Sequence, residues 1–319
     1  MKYFSSILYK NSNRTPYFDT LKFLSILLVC FTHFIDKFNN SYFLYWKEFP
    51  TKIFIQGITG KLGVAIFAVI SGFLSFKKSK QSILLYSIKR YCYFFFIELL
   101  VNIILCSEKN ISFVNALLDA LKIGNSVFPT FWFMRDFLFA SFLSFYFAKK
   151  DLSIYIKIVI IIIFHTLNLT WIAICLYGSL IHEIQSYKIF SYLKYRILLI
   201  ILFYFAIQRP ETNFTYILDG IFALIVICVV QNSINLRQVL QNKYLSFFGK
   251  RTMAILVIHP VVYDKIGIFL FKYFPSNGFC FFSIFFVLMI IICILSLPLD
   301  YIFSSYYSLI KKLLNKLEI

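Results

Sequence analysis

Long apolar runs alternate with short polar, mostly cationic stretches along the whole chain. A helix that crosses a bilayer needs about 20 apolar residues, and ten segments of roughly that kind can be marked: 16–35, 53–76, 83–106, 129–148, 152–167, 169–184, 190–208, 214–231, 252–272 and 279–303. Only the polar HTLN stretch at 165–168 divides the fifth from the sixth, and the eighth is short. No stretch between them is long or polar enough to be a separate soluble domain, so residues 1–319 read as one integral-membrane domain. The first run lacks a small-residue cleavage site and exceeds the apolar core of a signal peptide, so it reads as a helix of the mature protein.

Composition agrees with the pattern. The 319 residues are 60% hydrophobic and 21% aromatic, and only 14% are charged. A soluble domain carries about 25% charged residues. The fold class is therefore all-α and polytopic. The net charge of +18 does not indicate a nucleic-acid partner, because the cations cluster in the short stretches between apolar runs and no nucleic-acid motif accompanies them. With the N-terminus placed in the cytoplasm, twenty-one of the 32 Lys and Arg fall on inner segments. Every inner segment is then richer in cations than its outer neighbours, apart from ties with the 36–52 loop. The positive-inside rule thus favours ten helices with both termini cytoplasmic. The seven Cys are scattered through apolar runs without a CxxC or Cys/His cluster, so they read as small buried hydrophobes, with neither a disulfide framework nor a metal site.

Candidate chemistry concentrates in Arg14 to Asp36, RTPYFDTLKFLSILLVCFTHFID. Ionisable groups within a spanning helix are costly, and a chain that keeps them uses them. Lys22 and His33 lie eleven residues apart, about three turns plus 20°, so they share one side of the helix roughly 16 Å apart along its axis. Asp19 precedes Lys22 by one turn and Asp36 follows His33 by one turn, so each is placed to pair with its neighbour.

This segment resembles the first helix of the membrane acyltransferase family 3 proteins, integral-membrane O-acyltransferases of cell-surface glycans. The family's Asp, its basic residue and the His that follows after ten intervening positions fall on Asp19, Lys22 and His33. GKLGVAIFAVISGFLSF, Gly60 to Phe76, is similar to the family's second helix, matching at Ser71 and Gly72. In SIKRYCYFF the second of two family arginines falls on Arg90, the first falls on Ser87, and the family proline falls on Tyr93, so that match is partial. FWFMRDFLFASFL resembles the family's fourth helix at Trp132 and Arg135. YLSFFGKRTMAILVIHPVVYD matches at Gly249, His259 and Pro260, with Thr252 and Leu256 where the family has Ser and Tyr. A proline after His259 is expected to kink its helix.

The resemblance implies an O-acyltransferase, most commonly of acetyl groups, that draws on cytoplasmic acetyl-CoA or another acyl-CoA. The implied acceptor is a hydroxyl of a cell-surface polysaccharide or lipid-linked glycan. It implies catalysis by His33. Asp36, one turn on, or another carboxylate is expected to orient the ring. Lys22, Asp19 and Arg90 are expected on the donor side, and Trp132, Arg135, His259, Ser71 and Gly72 on the acceptor or pocket side. Direct base catalysis and an acyl-His33 intermediate both remain open. No bound cofactor is expected, and the expected location is a bacterial cytoplasmic membrane. His33 lies ~16 residues into its helix, or roughly 24 Å from the cytoplasmic end, and so in the outer half of the membrane. His165, in a tight outer turn, and His182, at an inner helix end, read as structural.

Other chemistry is poorly supported. No nucleophile elbow, Walker loop, zincin motif or paired carboxylate motif is present. A polytopic transporter or lipid-linked sugar flippase is the alternative, since intramembrane charges also mark that class. It predicts related halves, and the Lys/His pattern of the first helix does not recur around 152–184.

Overall fold

The computed structural model describes residues 15–42, 60–76, 83–109, 112–122, 133–150, 152–184, 213–274 and 278–316. Among these residues the chain is all-helical, without strands. The helices are α1 Pro16–Tyr42, α2 Leu62–Phe76, α3 Ile83–Lys109, α4 Phe113–Lys122, α5 Phe133–Lys150, α6 Ile154–Thr166 and α7 Thr170–Ile184. They continue as α8 Asn213–Asn232, α9 Ile234–Leu240, α10 Lys243–Gly249, α11 Thr252–Val262, a π turn Tyr263–Gly267, α12 Ile268–Tyr273 and α13 Gly278–Lys316. Nine of the ten expected segments fall on these helices. The remaining one, 190–208, lies outside the described residues, as does Trp132.

By length and composition, four of the described helices can cross a membrane: Pro16–Phe38, Thr215–Asn232, Thr252–Tyr273 and Phe279–Leu313. Leu62–Leu74, Ile154–Thr166 and Thr170–Ile181 are shorter apolar helices. At ~1.5 Å per residue α13 extends about 58 Å, well beyond a ~30 Å hydrocarbon core. Its lower part packs on α3, where Phe96 stacks on Tyr306 with ring centroids 3.9 Å apart.

Ring contacts and close backbone approaches set the relative directions. Gly60 and Gly63 of the α2 start face Thr32 and Ser25 of α1, so α1 and α2 are antiparallel. Phe67 stacks on Phe137, and further along Gly72 and Ser144 both meet Cys175, so α2 and α5 run the same way; Lys61 and Trp171 both meet Tyr216 ahead of that crossing, so α7 runs with them. Trp171 meets Tyr216, and Tyr177 meets Gly220, so α8 is parallel to α7. The end of α7 and the start of α8 therefore lie on opposite sides of the bundle.

Small residues decide how close the helices come. A Cβ added to Gly72 would stand 1.9 Å from the Cys175 carbonyl oxygen, and one added to Gly178 would stand 2.3 Å from the Val69 carbonyl oxygen. The α2–α7 contact is thus a backbone-to-backbone approach, the form that helix association takes where lipid removes the usual hydrophobic drive. The α6–α7 hairpin turns at Asn168, the one described non-glycine residue with positive φ (59°), a conformation that asparagine tolerates better than most residues. Lys157, whose position places it among the inner cations, has its side chain buried and ion-paired with Glu183 across this hairpin.

Three short helices occupy stretches expected to be loops. α4 folds back along α3, with Asn102 donating to the Ala116 carbonyl at 3.1 Å and Tyr91 donating to the Leu121 carbonyl at 2.8 Å. Ser233 caps α9 by accepting from the Leu236 N–H at 3.3 Å. Asn242 caps α10 by accepting from Tyr244 and Leu245 at 2.9 and 3.1 Å. These caps satisfy N–H groups that a helix start leaves open. The result seats α10 on the first half of α1, where a Cβ on Gly249 would stand 1.7 Å from the Asp19 carbonyl oxygen.

A histidine pair as the candidate active site

The seat of α10 on α1 fixes where α11 begins, and the two helices then run side by side. His33 lies on the half-buried face of α1, and His259 is fully buried on α11. Nδ1 of His33 is 2.8 Å from Nε2 of His259, and the two rings are nearly parallel, 11° apart with centroids 5.1 Å apart. The other ring nitrogen of His259, Nδ1, is 2.8 Å from the Leu256 carbonyl oxygen. A carbonyl only accepts, so Nδ1 of His259 carries a proton. With both rings neutral, Nε2 of His259 is then an acceptor, and Nδ1 of His33 must be the donor. The remaining nitrogen, Nε2 of His33, is left with an open lone pair. One carbonyl thus sets the proton positions of both rings, and the result is a base.

The contact is braced on both sides. Tyr263, on the π turn, donates to the Cys30 carbonyl at 3.0 Å and stands edge-on to His259 with centroids 5.5 Å apart. One turn beyond His33, Lys37 forms an ion pair with Asp264 of the same π turn. Phe34 packs on Tyr263, Phe271, Phe281 and Phe285, which locks α1, the π turn, α12 and α13 together behind the pair. π turns recur at functional sites, and this one holds both Tyr263 and Asp264 toward α1.

The structure brings some of the expected residues together and separates others. His33 and His259 are brought together, although the sequence reading assigned them separate roles. Asp36, expected to orient the His33 ring, is exposed on α1, and it is His259 that meets Nδ1 of His33. Lys22 and Asp19 pair as expected, at 3.1 Å, on the first half of α1. Arg90 lies on the corresponding part of α3, and its charge reaches Tyr93 and Cys175. Ser71 and Gly72 are buried, and Gly72 forms the α2–α7 crossing. Arg135 is exposed and 3.8 Å from its neighbour Asp136. His165 is buried within the α6–α7 hairpin, 3.5 Å from the Tyr177 hydroxyl.

Sequence reasoning missed Lys37, Asp264, Tyr263 and the Arg251–Asp300 pair. Arg251 sits at the start of α11, its guanidinium 3.7 Å from the centre of the Phe247 ring, donating to the Phe247 carbonyl at 2.6 Å and facing Asp300 at 3.4 Å. It adds a cation at the end of the bundle where Lys22 and Arg90 lie. A local signal was present: Lys37 is four residues past His33 and Asp264 five past His259, so a charge follows each histidine by about one helical turn. Lys61 lies over the Tyr216 ring, 5.2 Å from its centre.

The chain was compared with known proteins. Residues 15–207 match the model of an acyltransferase domain, Acyl_transf_3. No curated protein and no solved structure matches. The matched part contains Lys22, His33, Ser71, Gly72 and Arg90, whereas His259 lies beyond it and joins the site through the fold. With more than half of its 319 residues covered, and with apolar helices of spanning length, this chain belongs to the membrane acyltransferase family 3 and is an acyltransferase.

Proposed function

We propose that this acyltransferase moves an acetyl group from cytoplasmic acetyl-CoA to a hydroxyl of a cell-surface polysaccharide or lipid-linked glycan, with His33 as general base. The observation that carries the reading is the His33–His259 contact, which leaves Nε2 of His33 as the open basic nitrogen. Nε2 takes the proton of the acceptor hydroxyl as that oxygen attacks the thioester carbonyl. The tetrahedral intermediate collapses, the carbon–sulfur bond breaks, and the proton passes from Nε2 to the departing thiolate. During the step His33 is positively charged, and His259 Nε2 accepts from its Nδ1–H throughout. His259 thereby holds the orientation of the ring, and the charge of Asp36 acts on the same ring from α1.

The donor would enter from the end that carries Lys22, Arg90 and Arg251, whose charges suit phosphate groups. It would then extend along α1 past Lys22 to His33. This route requires that end to be cytoplasmic, in keeping with the distribution of Lys and Arg. Ten crossings with both termini inside satisfy the same requirement. A bacterial cytoplasmic membrane is the setting that such a donor and acceptor imply.

The test has two arms. Mass spectrometry of surface polysaccharide from wild-type and His33→Ala cells should show acetyl groups only in the wild type, at equal protein levels. Purified wild-type protein should release free thiol from acetyl-CoA, and His33→Ala should not. Normal acetylation in the variant would sink the reading.

A further inference from the structure

The helix that carries His259 contains its own explanation for the proton position on that ring. In an α-helix the carbonyl of residue 256 accepts from the N–H of residue 260. Here residue 260 is proline, inside α11, and proline has no N–H to give. The Leu256 carbonyl is therefore deprived of its helical donor at a depth where water does not reach. Vacated carbonyls in membrane helices are taken up by nearby side chains. The donor that takes this one is Nδ1 of His259, at 2.8 Å. His259 is fully buried, so the bond has no solvent competitor.

We infer that Pro260 is a positioning residue for catalysis: by removing one N–H it frees the Leu256 carbonyl to hold the proton on Nδ1 of His259, and through that ring leaves Nε2 of His33 unprotonated. With an ordinary residue at 260, the backbone N–H would occupy the carbonyl. His259 could then carry its proton on Nε2 and donate to Nδ1 of His33. The proton of His33 would move to Nε2, and the base would be lost. The proline is more than a kink. The apolar rod continues through the π turn into α12, with Pro260 two residues before the end of α11. The missing donor is the feature that the neighbouring histidine uses.

This inference rests on His33 as base for its kinetic consequence, but its structural core can be read without any activity. The experiment is 15N NMR of histidine side chains in the full-length protein in lipid nanodiscs, with the His259 signals assigned by their loss in His259→Asn. Wild type should show His259 protonated on Nδ1 and bare on Nε2. Pro260→Ala should shift His259 toward the Nε2-protonated form. A backbone ester at position 260, with lactic acid in place of the residue, also lacks the N–H but has no ring, and it should keep the wild-type pattern. In acyl transfer, Pro260→Ala should lower kcat tenfold or more with KM for the acyl donor unchanged; a wrongly protonated histidine in a triad costs up to about 10⁴-fold. The ester should restore kcat. An unchanged His259 pattern in Pro260→Ala, or an ester variant with the alanine pattern, overturns the inference. If Pro260→Ala does not fold, the ester decides by its own pattern. A wild-type protein with no acyl transfer would instead refute the proposed function, and the NMR result would still stand on its own.

Discussion

The two histidines occupy different positions in one proton chain, and their substitution should separate them. Loss of a general base typically costs about 10²–10⁴-fold, so His33→Ala should lower kcat by that amount, checked by thiol release from acetyl-CoA at equal folded protein. His259 touches Nδ1 of His33, and in the proposed mechanism it is Nε2 of His33 that meets the acceptor hydroxyl. His259→Asn keeps an acceptor beside that N–H and should retain more activity than His259→Leu, which leaves the buried donor unsatisfied at about 1–3 kcal/mol. Equal loss in both would show that the contact only packs. The sequence marked both residues, His33 by its spacing from Lys22 and His259 by its place before a proline. It did not show their distance, because 226 positions separate them and no local spacing encodes that approach.

At the scale of the helices, most boundaries were legible and most contacts were not. Hydrophobic length alone placed α1, α8 and α11 to within a few residues at their first residue, since apolar runs end where polar groups must meet water. The short helices α9 and α10 were read as loop because seven residues leave too brief a pattern, and their caps at Ser233 and Asn242 are also common loop residues. Gly72 drew attention as part of a family motif, and its role emerges from the helix behind it. Gly72→Ala and Gly178→Ala each force a methyl group into a facing backbone. Each should destabilise by about 1–3 kcal/mol or more, read as a lower melting temperature of the purified protein. Because both glycines lie in one contact, the double variant should lose less than the two losses added together. Full additivity would mean that the helices do not meet there.

On the scale of the whole molecule, charge is arranged along α1 from Asp19 and Lys22 to His33 and then to Lys37 at Asp264. If Lys22 guides an anionic donor along this line, Lys22→Arg should retain more activity than Lys22→Gln, measured as KM for acetyl-CoA. An equal rise in both would remove charge as its role. A different buried charge supports the α6–α7 hairpin. Lys157 has almost no exposure, and its partner Glu183 holds it in place. Stranding a buried charge costs about 3–5 kcal/mol, so Glu183→Leu should lower thermal stability by that order, and Glu183→Leu with Lys157→Leu should recover most of it. A double variant no more stable than the single one would show that the pair is not the cause.

What the sequence determined by itself was the medium and the class. Apolar runs of this length can only be satisfied by helices in lipid, where every backbone polar group must bond within its own segment. The spacing of Asp19, Lys22 and His33, carried by a single helix, was also fixed locally, since the helical repeat places them on one face. The tertiary structure alone decided what His33 does with its second nitrogen. That depends on how close α11 lies to α1, which follows from the bare backbone of Gly249 against Asp19 and the aromatic packing around Phe34. These contacts join parts of the chain more than two hundred residues apart. The same approach turned two isolated histidines into one directional pair, because a ring nitrogen becomes a base only when its partner nitrogen has somewhere to place its proton.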